Sequence, residues 1–182
     1  MMDYFLLKQD RRYTNVPVLQ EVRQKLDSRH INRLNAHSIA DTLMFYVKAE
    51  ADSSYLDLFD QQLFLMSDQL KRVVELYAPD TIFKLTPLVD HVHHKQHNYV
   101  LPIFEEVDAL SPSCEFNTDK SVIKKLILLG DALQGKKIVS IKGSSQRLVV
   151  VRLDVAESIL RRSLVGIQLE KVAIEQMRSS YF

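Results

Sequence analysis

Tryptophan is absent from this chain, and cysteine, glycine and proline are scarce: one Cys, four Gly and five Pro in 182 residues. The single cysteine, Cys114, excludes an internal disulfide framework. So few glycines and prolines leave no low-complexity linker, so residues 1–182 read as one domain, with 1–45 as an N-terminal strand/helix element and 46–174 as the core. No apolar run approaches the ~18 residues of a membrane-spanning helix, and no basic-then-apolar leader is present. With the lone thiol, these absences predict a soluble protein of a reducing cytoplasm, with no membrane partner.

Short catalytic motifs are missing too. The chain has no Gly-rich phosphate loop, no Gly-x-Ser-x-Gly elbow and no His-Glu-x-x-His pair. Pro79-Asp80 matches the start of a common nuclease motif, but that chemistry also needs Asp-x-Lys or Glu-x-Lys, and neither occurs. Cys114 lies beside Pro112 and Glu115, which do not lower a thiol pKa, so it reads as a surface or half-buried thiol. These absences weigh against an enzyme and call for no cofactor.

What is present suits a globular fold: 46% hydrophobic and 26% charged residues. The net charge of +1 conceals an asymmetry. Residues 1–119 carry 12 Lys+Arg against 18 Asp+Glu, and residues 120–182 carry 12 against 5. The halves either neutralise each other within one fold or present a polarised docking surface. The basic residues are scattered among apolar ones without interleaved aromatics, which argues against nucleic acid.

Periodicity supplies the elements. Tyr4–Lys8, Thr42–Lys48 and Tyr55–Phe59 read as strands, and Pro17 with Val18, Val22 and Leu26 predicts a helix. Leu63–Met66 reads as a strand, Ser67 as an N-cap, and Leu70, Val73, Val74 and Tyr77 as a helical stripe that Pro79 stops. Residues 82–104 predict a hairpin. Leu148–Val151, a short helix with a capping-box-like Asp154 and Glu157, and Gly166–Val172 repeat the strand-helix-strand order. Adding 85 to Leu63, Leu70, Val74 and Ile82 gives Leu148, Val155, Ile159 and Ile167, which leaves an internally repeated unit open. The expected class is α+β, mostly antiparallel, with two or three helices.

Four of six histidines crowd into "HVHHKQH". If "HHKQ" is the hairpin tip, His91 and His93 share one strand face with His97 near them, and these three are the candidate metal ligands. Zinc sites need three or four ligands and a water-excluding pocket, so the favoured reading is a solvated tip with no metal. Among carboxylates, Glu105, Glu106 and Asp108, with Asp57 and Asp60, form either an acid–base or magnesium site or a solvated acidic face.

The phrases "LFLMSDQLKRVVELY", "YVLPIFEEVDALSPSCEF", "KSVIKKLILLGDALQGKKIVSIKG" and "LVVVRLDVAESILRRSLVGIQLEKV" occur in order over about residues 45–172. They resemble a bacterial family first catalogued as a domain of unknown function and later grouped with the immunity proteins of polymorphic toxin systems. The resemblance implies a cytoplasmic protein that binds a cognate protein toxin and blocks it by occlusion, without chemistry. It carries over no catalytic or binding residues. Facing a toxin with a basic active site, Glu105, Glu106 and Asp108 are the expected docking surface. Two alternatives stay open: a small metal-dependent hydrolase using the His91–His97 cluster, and a homo-oligomeric regulatory or structural protein, such as a homodimer formed through edge strands.

Overall fold

The structure, a computed structural model, describes residues 1–176. Its first strand, β1 (Tyr4–Gln9), alternates faces, with Leu7 in one core cluster and Tyr4 in another. The helix expected after it shrinks to a single turn. Val18 and Leu19 form a short strand, β2 (Val18–Leu19), and only α1 (Val22–Lys25) is helical. Two local facts defeat the helical spacing. Leu19 pairs with Val47 on one side and with the Gln62 side-chain amide on the other. Glu21 adopts φ 57, a left-handed conformation that interrupts a right-handed helix.

The next elements follow the apolar pattern, although the expected strands Thr42–Lys48 and Tyr55–Phe59 shorten to Phe45–Lys48 and Leu58–Phe59. These elements are β3 (Phe45–Lys48), β4 (Leu58–Phe59), β5 (Leu65–Ser67), α2 (Asp68–Tyr77), β6 (Ile82–Asp90) and β7 (Lys95–Ile103). Ser67 caps α2, its hydroxyl accepting the Leu70 N–H at 3.3 Å, and Leu70, Val73 and Val74 are buried. Then come β8 (Glu106–Val107), β9 (Glu115–Phe116), β10 (Ile123–Lys125), β11 (Ile127–Leu129), a one-turn α3 (Gly130–Leu133) and β12 (Ile138–Ile141). β13 (Val149–Arg152), α4 (Leu153–Leu160), β14 (Ile167–Lys171) and β15 (Ala173–Glu175) complete the described chain. The class is α+β. Among the described residues, two of the four α-helices are single turns.

Two larger sheets organise these elements. One has the order β14-β1-β13-β12-β8, the other β2-β3-β6-β7-β5-β4. The five-stranded sheet is covered on both faces. Val149 and Val151 join a core with Leu70, Val74, Val155 and Ile159, while Val150 joins the opposite core with Tyr4 and Leu128. That double burial explains the unbroken apolar run "LVVV". The six-stranded sheet contributes to a third core holding Phe45, Leu88, Tyr99 and Leu101. The Gln62 amide binds both the N–H and the C=O of Leu19, each at 2.8 Å, so a loop between β4 and β5 covers the edge of β2. A side chain thereby takes the place of a strand at an otherwise open edge.

The two sheets share one plan. β5 leads through α2 to β6, and β7 inserts antiparallel between those two strands. β13 leads through α4 to β14, and β1 inserts antiparallel between them. The offset of 85 residues holds in burial: Leu63 and Leu148 are each 7% exposed, Leu70 and Val155 each 0%. α2 and α4 pack in a single core that draws on both sheets. β1 is an interior strand, so residues 1–45 are woven into the fold.

The helix starts differ. The Asp154–Glu157 capping box does not form. Arg152 occupies the N-cap without a side-chain cap, and Asp154 pairs with the Arg152 guanidinium at 2.7 Å instead. A nearby long cation out-competes the backbone N–H for the carboxylate. At the other end of α4, Arg162 donates to the Ser158 carbonyl at 2.6 Å, as expected for a cation at a helix C-terminus.

Candidate functional site

A cleft of about 790 Å³ opens between the five-stranded sheet and two segments from the other half of the chain, residues 28–32 and the β4–β5 loop. β1 supplies Lys8 to its lining, β8 supplies Glu106 and β14 supplies Glu170. The β4–β5 loop supplies Asp60, and the turn between β12 and β13 supplies Arg147.

Most of the charge here is already paired. Lys8 pairs with Glu170, Arg11 with Asp60 at 2.8 Å, and Arg29 with Asp27 at 2.7 Å. Hydrogen bonds from the Arg29 side chain and backbone hold the Asp27 carboxyl down to about 2. Asp60 also accepts the Gln9 N–H at 2.9 Å, while the Asp60 N–H donates to the Gln9 amide oxygen at 3.2 Å. Gln9 is 1% exposed, and its amide nitrogen has no partner among the described residues.

Arg147 differs from the other cations. The turn that carries it is closed by Gly143 at φ 85 and by Ser144, whose hydroxyl accepts the Gln146 N–H at 3.1 Å. From there the half-buried guanidinium crosses the cleft to donate to the Ile31 carbonyl at 3.0 Å. It forms no ion pair with a described carboxylate. Loss of water pushes its pKa below the usual arginine value, against an opposing pull from Glu106.

The three acidic residues expected to act together have separate surroundings. Glu105 pairs with Lys136, Glu106 lines the cleft, and Asp108 is exposed. Asp57 belongs elsewhere, accepting the Ser67 hydroxyl and the Val165 N–H, both at 2.6 Å. Cys114 is half-buried, its thiol donating to the Ile127 carbonyl at 3.0 Å.

The histidine tip needs correction. The loop comprises residues 91–94, with Asp90 opposite Lys95 as the last paired residues, so "HVHH" rather than "HHKQ" forms the turn. Asp90 sets this register. Its carboxylate, 1% exposed, accepts the His93 backbone N–H at 3.1 Å and lies 2.6 Å from His93 Nδ1. Burial pushes the Asp90 carboxyl up, but the hydrogen bonds from the His93 ring and backbone outweigh it and leave the pKa low. His91 meets Tyr46 edge-on at 5.6 Å, and His97 stacks on Tyr55 at 3.7 Å. The three rings therefore have three different partners, and His93 and His97 are half-buried rather than solvated. Among the described residues, no three His, Cys, Asp or Glu side chains are grouped to hold a metal ion. No described helix is long and apolar enough to cross a membrane.

A scan of the chain against protein-family models gives no match, and a search of curated proteins gives none either. The site is therefore read from its own geometry. Sequence reasoning passed over Arg147 and Lys8. The one signal for Arg147 was its position, a cation between the Gly-Ser-Ser-Gln turn and the apolar run Leu148–Val151.

Proposed function

We propose that this protein is a non-enzymatic, immunity-type binding protein that neutralises a cognate protein toxin in the cytoplasm by occlusion, docking it over the Arg147 cleft. The observation that supports this reading most is the pre-ordering of the cleft's charged rim. Lys8, Arg11 and Arg29 are each held by a carboxylate, and Arg147 is held by the Ile31 carbonyl. Side chains fixed before contact lose little conformational freedom on binding, a cost of about 0.5–1.5 kcal/mol for each one left mobile. Charges of both signs around an open depression suit the mixed polar surface of a protein, and such complementarity sets specificity and association rate. The resemblance of residues 45–172 to immunity proteins points the same way.

Co-expression with toxin-like genes adjacent to its own tests the reading. The expected outcome is growth rescue together with a co-purifying complex. Absence of both for every adjacent candidate removes it.

A further inference from the structure

We infer that Arg147 is a carboxylate-accepting anchor, onto which the docked partner inserts an Asp or Glu side chain. The inference rests on the docking reading above and specifies the partner's chemistry. Three of the four cations lining the cleft already have a carboxylate: Lys8 has Glu170, Arg11 has Asp60 and Arg29 has Asp27. Arg147 has only a main-chain carbonyl. A guanidinium carries five N–H donors in a planar fork that matches the two oxygens of a carboxylate, and a single bond to Ile31 leaves most of that fork unused.

The bond to Ile31 also fixes the fork's direction, so the donors point from a set position. A half-buried cation without a counter-ion carries an uncompensated desolvation cost, which an arriving anion relieves. Arginine is among the residue types that most often anchor protein interfaces.

The surroundings favour one negative charge over two. Glu106 lines the same cleft and is the carboxylate whose field reaches Arg147. It attracts the guanidinium from a distance and repels any incoming anion. Doubling the anion's charge doubles its attraction to Arg147 and its repulsion from Glu106 alike, but the Born cost of stripping its water rises about fourfold, so a single guanidinium suits a monoanion better. Of the neighbouring hydroxyls, Ser145 donates to the Ser121 carbonyl, while Ser144 accepts the Gln146 N–H and keeps its own O–H for either anion. A carboxylate is therefore the fitting anion.

The site can be titrated without knowing the toxin. The side-chain Nε–H resonance of Arg147, followed by NMR in the full chain, reports binding of N-acetyl-glutamate N-methylamide. Inorganic phosphate is the second arm. The expected result is a saturable shift with the glutamate probe, weaker with phosphate. Followed through resonances of the cleft backbone, Arg147→Lys weakens glutamate binding by about tenfold, because an ammonium lacks the planar fork. Glu106→Gln strengthens it several-fold. No saturable shift, tighter binding of phosphate, or indifference to both substitutions overturns the anchor.

Arg147→Met extends the test to growth rescue, with urea unfolding as the check on its stability. If it does not fold, Arg147→Lys is scored in its place. Rescue by the wild type that persists in a folded Arg147 variant overturns the anchor and leaves the docking reading standing. Failure of the wild type to rescue counts against docking alone, and the titration still decides whether the carboxylate site exists.

Discussion

The two sheet-and-helix units follow one design but are completed by different means. In the first, β6 turns directly into β7 through the loop 91–94, and Asp90 pairs with Lys95. In the second, the strand in the matching place is β1, which runs beside β14 with Phe5 opposite Lys171. The end of β14 thus meets the start of β1 much as the end of β6 meets the start of β7, but no turn joins them. The first unit is local in sequence, while the second closes only through a contact across 166 residues, Phe5 to Lys171. Units of like plan but unequal contact order differ in the loop entropy that their closure must overcome.

Removing residues 1–9 gives the largest expected effect. It takes the interior strand out of the second sheet, Leu7 and Tyr4 out of two cores, and one wall from the cleft. We expect no cooperative thermal transition by circular dichroism. A truncated chain that still melts cooperatively would show that the first unit folds alone, sharpening the asymmetry rather than the likeness.

Gly166→Ala comes next. Gly166 precedes β14 at φ 80, and a Cβ there would lie 2.7 Å from Leu56 Cβ. Left-handed strain and overpacking together should cost about 3 kcal/mol, read from the midpoint of urea unfolding. The equivalent position in the first unit, 85 residues earlier, is Thr81, whose hydroxyl donates to the Ala78 carbonyl at 2.8 Å. Thr81→Ala should cost about 1 kcal/mol. Similar losses at both positions would contradict the view that only the second unit is pressed against its neighbour there.

Ser67→Ala tests the unequal helix starts. It removes the cap on the Leu70 N–H and the bond to Asp57, with an expected loss of about 1–2 kcal/mol by the same measurement. An unchanged midpoint would mean that the cap contributes nothing and that α2 and α4 start alike.

The smallest effect concerns the β6–β7 hairpin, which only the first unit possesses. Burial, then the nearby Lys95, holds the His97 pKa below the ordinary 6.5. The unfolded chain therefore binds a proton near pH 6.5 that the folded chain takes up only at lower pH. This contribution to stability is complete above that value and is lost as pH falls through the folded pKa. His97→Phe retains a stacked ring against Tyr55 and should flatten the slope of unfolding free energy in that window. A slope left intact would assign it to other groups.

How much of this was legible in the sequence depended on whether the deciding interaction was local. The stripe Leu70, Val73, Val74 and Tyr77, with Ser67 before it and Pro79 after it, is self-contained, and α2 forms as its pattern dictates. The stretch after Pro17 has helical spacing as well, yet Gln62, more than forty residues away, holds Leu19 as a strand. The histidines were visible, but the turn register was set by Asp90 accepting from His93, a short-range competition that strand alternation does not describe. The cleft was hidden for a different reason. Arg147 meets Ile31 at a separation of 116 residues, and its lack of a counter-ion is a property of everything packed around it. A net charge of +1 says nothing about where a single unmatched cation lies.

During synthesis the interior position of β1 imposes a wait. Residues 4–9 leave the ribosome ahead of their partners in β13 and β14, which emerge only after about 140 further residues. At typical translation speeds that delay is on the order of ten seconds. Throughout it, a nascent "YFLLKQ" segment has both backbone edges open and is a natural client for a holding chaperone.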